Sequence, residues 1–236
     1  MNPNDPNIAL LERAAEQLGD ALIDQLVFVG GAVAGALITD PAMPDIRPTQ
    51  DVDVICRVIA RADFYQLGMQ LRERGFQEDA RPGAPLCRWW IEEIILDLMP
   101  IQGEVLGFSN RWYPLAVESA QLHVLPSGRS IWMVTAPAFL ATKLEAFHGR
   151  GEGNFRISHD LEDLMAVVDG RESLLEECRL SPLELRNALA AEFKVLLATP
   201  SFIEALPAFL PGDQASQQRL PELLQTLVSI AALADS

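Results

Sequence analysis

The sequence predicts an α+β fold, a mixed sheet with helices packed on it, followed by an all-helical C-terminal half. Before residue 136, short apolar runs bounded by glycine, proline or acidic residues alternate with segments of helical spacing. After Pro137, the apolar segments all have helical spacing and none resembles a strand. We therefore predict two domains, residues 1–136 and residues 137–236.

The N-terminal domain contains four strand-like and three helix-like segments. Runs rich in valine, isoleucine and leucine predict strands over residues 26–29, 51–58, 86–101 (one long strand or a hairpin) and 130–136. Apolar residues three and four positions apart predict helices over residues 8–25, 32–39 and 61–75. The last of these helices is expected to end at Gly75, because glycine is a common helix stop.

The C-terminal domain has the periodicity of a helical bundle. Its apolar spacing predicts helices over residues 137–149, 159–170, 173–178, 182–198, 201–210 and 219–233. Pro137 suits a first helical turn, where its missing N–H does no harm. Ser158 is a suitable N-cap for the second helix, and acidic residues follow it where the helix dipole favours them.

The chain is strongly acidic, with 33 Asp and Glu against 18 Lys and Arg and a net charge of −15. This balance disfavours a general nucleic-acid binder, but it leaves room for a local basic groove or a cationic small-molecule partner. Its three scattered cysteines match no metal or redox spacing, which predicts free thiols in a reducing compartment. Without a signal peptide or a membrane-length apolar run, we expect a cytoplasmic protein with no membrane partner.

Two carboxylates stand in the strand predicted over residues 51–58. Because side chains two positions apart share a strand face, Asp51 and Asp53 project together, while Val52 and Val54 face the core. Two such carboxylates repel each other unless a cation lies between them, and Mg²⁺ favours carboxylates together with substrate phosphates. By itself, the pair favours the ordinary interpretation, which is a solvated strand end.

Two further features favour a site. Gly30 and Gly31 follow the first strand and open a helix, where backbone N–H groups can bind phosphate, although two glycines alone are also typical of a tight turn. Asp97 is a lone acid within an apolar strand, and a buried unpaired carboxylate is costly unless it has a function. Together with Asp51 and Asp53, these residues predict a site for a nucleoside triphosphate (NTP) with Mg²⁺.

The order of these motifs resembles the nucleotidyltransferase superfamily of DNA polymerase β. Glycines at a helix start are followed by Asp-x-Asp on one strand and by a single Asp on a later strand. The run RPTQDVD resembles most closely the Arg-x-Thr-x-Asp-(Ile/Val)-Asp motif of AbiE-type abortive-infection toxins and related bacterial nucleotidyltransferase toxins. Arg47 and Thr49 match that motif, as do the two aspartates. The resemblance covers about residues 27–169 and implies a nucleotidyltransferase-like core.

The family's later elements also have counterparts here. Lys143, Ala146 and Arg150 match a Lys-x-x-Ala-x-x-x-Arg helix, and Asp160 and Asp163 match a Lys-Asp-x-x-Asp element. His159 departs from that element, because it stands where lysine is usual.

The resemblance implies a catalytic set in a cleft between the domains. Asp51, Asp53 and Asp97 would hold two Mg²⁺ ions, and Lys143 would neutralise the leaving pyrophosphate. Gly30 and Gly31 would cradle the triphosphate. The remaining residues assigned to NTP binding are Arg47, Thr49, Arg150 and Asp160.

The implied reaction is transfer of a nucleoside monophosphate from an NTP to an acceptor. The resemblance implies a toxin-type enzyme with tRNA as the acceptor and a cognate antitoxin as a protein partner. Two alternatives stay open. In the first, the acceptor is a cationic small molecule, as in aminoglycoside nucleotidyltransferases. In the second, the chain is a catalytically inactive binding module on the same scaffold.

Overall fold

The structure is a computed structural model that describes residues 5–43, 46–57, 61–101, 103, 105–107, 109–150 and 154–235. It confirms the α+β class, with one seven-stranded mixed sheet among these residues. The chain forms two compact units: Asn2–Gly35 with Arg47–Thr135 (the sheet unit), and Ala36–Ile46 with Ala136–Ser236 (the helical unit). It passes from one unit to the other after Gly35, Ile46 and Thr135.

The sheet lies entirely within the sheet unit. Its strands are β1 (Leu26–Val29), β2 (Asp51–Cys56), β3 (Gln77–Glu78), β4 (Arg88–Ile91), β5 (Ile94–Met99), β6 (Gln121–Val124) and β7 (Ser130–Met133). Their spatial order is β3-β4-β5-β2-β1-β7-β6. β2 is antiparallel to β1 and parallel to β5, whereas β7 is parallel to β1. β2 is therefore a central strand, which explains why Val52 and Val54 are completely buried.

Five helices begin in the sheet unit: α1 (Pro6–Leu18), α2 (Asp20–Ile23), α3 (Ala34–Leu37), α4 (Arg61–Glu73) and α5 (Tyr113–Glu118). The prediction of one helix over residues 8–25 was wrong, because Gly19 separates α1 from α2 with a φ of 69°. The helix predicted over residues 32–39 is also shorter, since a 3₁₀ turn (Gly31–Val33) precedes α3. Position 58, the predicted end of β2, lies outside the described residues.

The predicted hairpin over residues 86–101 forms as β4 and β5, joined at Glu92, whose φ is 51°. Sequence analysis missed β3, β6 and α5. All three are short, and β3 and β6 are edge strands with mostly exposed side chains. An edge strand without a buried face leaves no alternation of apolar and polar residues in the sequence.

The helical unit contains α6 (Ala136–Gly149), α7 (His159–Gly170), α8 (Leu174–Leu180), α9 (Leu183–Leu197), α10 (Pro200–Ala205), α11 (Gln214–Gln217) and α12 (Leu220–Ala231). The helices predicted here are confirmed except over residues 201–210, where α10 ends at Ala205 and a 3₁₀ turn (Leu206–Phe209) follows. Only the four-residue α11 was missed among the described residues. The hydroxyl of Ser158 accepts a hydrogen bond from the backbone N–H of Leu161, as expected of the predicted N-cap. Phe139, Phe193 and Phe202 are completely buried in its core. None of the described helices combines the length and apolar character needed to cross a bilayer.

Segment Ala36–Ile46 belongs to the helical unit because three groups of that unit hold it. The Gly170 carbonyl accepts hydrogen bonds from the N–H groups of Thr39 and Asp40. Arg171 donates to the Leu37 carbonyl over 2.6 Å, and Arg219 pairs with Asp40 over 3.0 Å. These bonds join residues 130 or more positions apart, and this exchange of a segment between the units was not predicted from the sequence.

Candidate functional site

The three predicted aspartates of the sheet unit share one face of the sheet. Asp53 on β2 lies directly opposite Asp97 on the parallel strand β5. Asp51 projects from the same face, because it lies two positions before Asp53. Asp97 is buried with 5% of its surface exposed, and the other two are half-buried. We call these three residues the carboxylate cluster.

A guanidinium group lies within the carboxylate cluster. Arg88 on β4 stands opposite Asp97 in the β4–β5 register. Its Nε donates to Asp97 Oδ1 over 2.8 Å, and its Nη2 donates to Asp97 Oδ2 over 2.7 Å. The same Nη2 also donates to Asp51 Oδ2 over 2.9 Å. Asp97 is therefore paired rather than isolated, and these hydrogen bonds raise the pKa of Arg88 above its usual value.

Sequence analysis assigned no role to Arg88, although the hairpin itself contained a signal. A turn at Glu92 pairs Ile91 with Ile94. In the same register, Arg88 lies three residues before Ile91 and Asp97 lies three residues after Ile94, so the two face each other. An arginine and an aspartate at matching distances from a predicted turn indicate a cross-strand ion pair. Cys87, which precedes Arg88, is buried. Burial is the main cause that raises the pKa of its thiol to about 12, and the nearby Asp97 charge contributes as well.

Gly30 lies directly against the carboxylate cluster. Its φ of 72° and ψ of −165° fall in a region that is essentially restricted to glycine. A Cβ at this position would overlap the Asp53 carboxylate oxygen and lie 2.6 Å from Asp53 Cγ. The absence of a side chain at Gly30 therefore lets the end of β1 approach Asp53. Gly31 opens the 3₁₀ turn and is buried.

Asn7, at the start of α1, holds in place the residues that lead into β2 and Asp51. Its side chain accepts a hydrogen bond from Thr49 N over 2.8 Å and donates to the Arg47 carbonyl over 3.1 Å. The Thr49 hydroxyl then donates to Asp51 Oδ1 over 2.9 Å. Sequence analysis missed Asn7, since these bonds cross 40 or more positions of sequence. The Arg47 carbonyl and the Thr49 hydroxyl therefore help to hold the residues before β2, and contact of either side chain with an NTP stays a prediction.

Replacing Asn7 by alanine should reduce the free energy of unfolding by about 1–3 kcal/mol, because it leaves partly buried backbone groups of Arg47 and Thr49 without their partner. Asn7 is completely buried, so little water can substitute for it. The measurement is urea denaturation followed by circular dichroism. Asn187→Ala, at an exposed position of α9, is the control and should change stability by less than about 0.5 kcal/mol. Equal effects of the two substitutions would contradict the structural role of Asn7.

The predicted residues of the helical unit form a second cluster. Lys143 on α6 is 8% exposed and donates from Nζ to Asp163 Oδ2 over 2.7 Å and to Asp160 Oδ1 over 3.3 Å. Arg150 also pairs with Asp160, over 3.3 Å, but its side chain is largely exposed. The structure thus brings together four residues that the family motif separates into two elements. Their convergence with the carboxylate cluster stays a prediction.

His159, which replaces the usual lysine of the motif, lies at an exposed position. Its Nδ1 is 3.2 Å from Glu162 Oε2 one turn along α7. Asp160 and Asp163 on the same helix turn toward Lys143 instead. The residue that departs from the family motif therefore makes none of the described side-chain bonds to Lys143, Asp160, Asp163 or Arg150.

Two open grooves lie on the sheet unit. One, of about 370 Å³, is lined by Thr49, Ile95, Leu10 and Glu93, and so adjoins the strand ends that carry Asp51. The other, of about 800 Å³, has a lining with four acids and two arginines: Glu12, Glu16, Asp20 and Asp24, with Arg13 and Arg129. Arg13 lines both grooves, so they adjoin along α1.

The donor set of the carboxylate cluster fits a hard divalent cation, because it offers carboxylate oxygens on one sheet face. Arg88 already provides a positive charge between Asp51 and Asp97. With the side chains as they stand, no group of three or more His, Cys, Asp or Glu among the described residues is arranged to hold a metal. A cation bridging Asp51 and Asp97 would compete with Arg88, which contacts both residues.

No protein-family model matches this chain, and no curated protein is similar to it at a significant level.

Proposed function

We propose that the protein is a Mg²⁺-dependent nucleotidyltransferase that transfers a nucleoside monophosphate from an NTP to an acceptor. The observation that supports this most strongly is the direct pairing of Asp53 with Asp97 across parallel strands, with Asp51 on the same face. Gly30, whose missing side chain gives close access to Asp53, supports it independently. The resemblance to the polymerase β superfamily agrees with both observations, and it extends the proposal to a nucleotidyltransferase-like core.

In the proposed reaction, each residue contributes position or charge. Asp51, Asp53 and Asp97 would hold Mg²⁺, which neutralises phosphate charge and makes the acceptor hydroxyl more acidic. Asp97 would accept the proton of the attacking hydroxyl. The backbone at Gly30 and Gly31 would bind phosphate oxygens. Lys143 and Arg150 would neutralise charge on the departing pyrophosphate, with Asp160 and Asp163 orienting Lys143.

The acceptor proposed first is tRNA, because the most similar family motif belongs to toxin-type enzymes. A cognate antitoxin would be the protein partner in that case. A cationic small molecule is the second candidate. The acidic lining of the 800 Å³ groove and the net charge of −15 favour it, since both attract cations and repel nucleic acid.

The test is a transfer assay with Mg²⁺ and each α-labelled NTP in turn. Acceptors are total tRNA in one series and a pool of aminoglycosides in the other. We expect label to move onto one acceptor class. Asp51→Asn should lower the rate about 100-fold or more, because it removes a charged cation ligand. Glu176→Gln is the matched control, since it removes a carboxylate whose ion pair with Arg179 is exposed on α8, and it should retain activity.

Label on tRNA supports the toxin-type enzyme, and label on an aminoglycoside supports the cationic acceptor. If no NTP is consumed with either acceptor, the nucleotidyltransferase proposal fails and the inactive binding module takes its place.

A further inference from the structure

The carboxylate cluster contains its own cation. Arg88 makes two parallel hydrogen bonds to Asp97 and a third to Asp51, all between 2.7 and 2.9 Å. Such bidentate, charge-assisted pairs are among the strongest hydrogen bonds in proteins. Both oxygens of Asp97 are therefore engaged by one guanidinium group.

The oxygens of Asp51 are engaged as well. Oδ1 accepts the Thr49 hydroxyl, and Oδ2 accepts Arg88 Nη2. Arg88 Nη2 thus lies between Asp51 Oδ2 and Asp97 Oδ2, where a cation shared by these two residues would also lie. A cation that bridged these two oxygens would overlap Nη2 and be repelled by its charge, so it has to displace the guanidinium from that position.

Arg88 is suited to leave this position. Its side chain is 22% exposed, whereas that of Asp97 is 8% exposed, so Arg88 is the more solvent-accessible partner of the pair. Arginine also keeps its charge in any environment, so it offsets part of the negative charge of the cluster at every physiological pH. Without a counter-cation, the facing carboxylates would repel one another in a partly buried site.

We propose that Arg88 is the resident counter-cation of the carboxylate cluster and is displaced when a divalent cation binds. This inference rests on the proposed function, because it concerns the same Mg²⁺ site. Arg88 keeps the cluster compact in the metal-free protein and raises the cation concentration needed to load it. Binding of the divalent cation breaks the three Arg88 hydrogen bonds and frees the guanidinium from Asp51 and Asp97.

The test measures cation binding rather than activity. Binding of Mn²⁺, which replaces Mg²⁺ in oxygen sites, is followed by calorimetry and by the loss of free Mn²⁺ signal in electron paramagnetic resonance. The variants are Arg88→Lys, which keeps the charge but loses the bidentate geometry, and Arg88→Ala. Arg179→Ala is the matched control, because Arg179 makes an exposed ion pair with Glu176 on α8.

We expect Arg88→Lys and Arg88→Ala to bind Mn²⁺ about 10- to 100-fold more tightly than the wild type, as expected from the loss of charge-assisted hydrogen bonds. Arg179→Ala should change the affinity by less than about twofold, as expected for an exposed pair. Tighter binding by Arg88→Ala alone, with Arg88→Lys unchanged, would overturn displacement, since it would reflect only the lost charge.

Weaker binding by both Arg88 variants would also overturn the inference, because Arg88 would then position the carboxylates for the metal. In that case the metal site itself stands. If wild type and both variants bind no more Mn²⁺ than Asp51→Asn, the metal site fails, and the inference fails with it.

A second measurement uses the wild-type protein alone, so it does not depend on a variant that folds. The Arg88 Nε–H signal, assigned by through-bond correlation along the side chain to the Arg88 backbone, should exchange slowly with water in the metal-free protein. Saturating Mg²⁺ should accelerate that exchange at least about tenfold if the hydrogen bond to Asp97 breaks. An unchanged exchange rate at saturation would overturn the proposal.

Discussion

Replacing Gly30 by alanine is expected to lower the free energy of unfolding by about 2–6 kcal/mol, because two costs add. The φ and ψ of this residue lie in a region that only glycine adopts easily. The new Cβ would also overlap the Asp53 carboxylate, at 2.6 Å from Cγ and 2.7 Å from Cβ. Overpacking of this kind forces neighbouring atoms to move. Urea denaturation followed by tryptophan fluorescence measures the effect.

Gly128→Ala separates the two costs. Gly128 also has a positive φ, 86°, but a Cβ there would meet nothing within 4 Å. Its substitution should therefore cost about 1–2 kcal/mol from backbone strain alone. A second comparison is Gly30→Ala combined with Asp53→Ala, which should recover part of the loss by removing the overlapping carboxylate. If Gly30→Ala costs no more than Gly128→Ala, the close approach of Gly30 to Asp53 is wrong.

Replacing Lys143 by methionine is expected to cost about 3–5 kcal/mol of unfolding free energy, because it leaves buried carboxylates without their cation. Asp160 and Asp163 are 4% and 5% exposed, so water cannot solvate them well in the folded unit. Arg150 also pairs with Asp160, but its side chain is largely exposed, so that ion pair contributes little to stability. The measurement is denaturant unfolding followed by circular dichroism, which reports on α6 and α7.

Lys194→Met is the matched control, since Lys194 is the other lysine of the chain and lies at an exposed position of α9. It should change stability by less than about 0.5 kcal/mol. The double substitution Lys143→Met with Asp163→Leu should recover part of the loss, because an apolar pair can replace a buried ion pair. A small loss for Lys143→Met alone would show that the cluster is solvated.

These two predictions concern residues that the sequence singled out by type and spacing. Alternation in DVDV requires Asp51 and Asp53 to share a face, whatever the partners of the strand. Gly30 and Gly31 end a buried strand, and the apolar spacing beyond Pro137 is typical of helices. These features are local, which is why the main strands and the helical half were predictable.

Other features depend on residues far apart in the chain. The pairing of β2 with β5 brings Asp53 opposite Asp97 over 44 positions, and Asn7 holds Thr49 over 42. The segment Ala36–Ile46 joins the helical unit through Gly170, Arg171 and Arg219. Such contacts leave no periodic pattern in the sequence, because each depends on how complete helices and strands pack together.

By itself, the sequence determined the α+β class, the principal helices and strands, and the carboxylates that share a face, because local periodicity and turn residues specify them. Only the tertiary structure decided that Arg88 neutralises Asp51 and Asp97, and that Lys143 is held by Asp160 and Asp163. The physical reason is that a charge inside a folded protein takes its partner from whatever element packs against it. Strand register and helix packing determine that partner, and sequence distance does not.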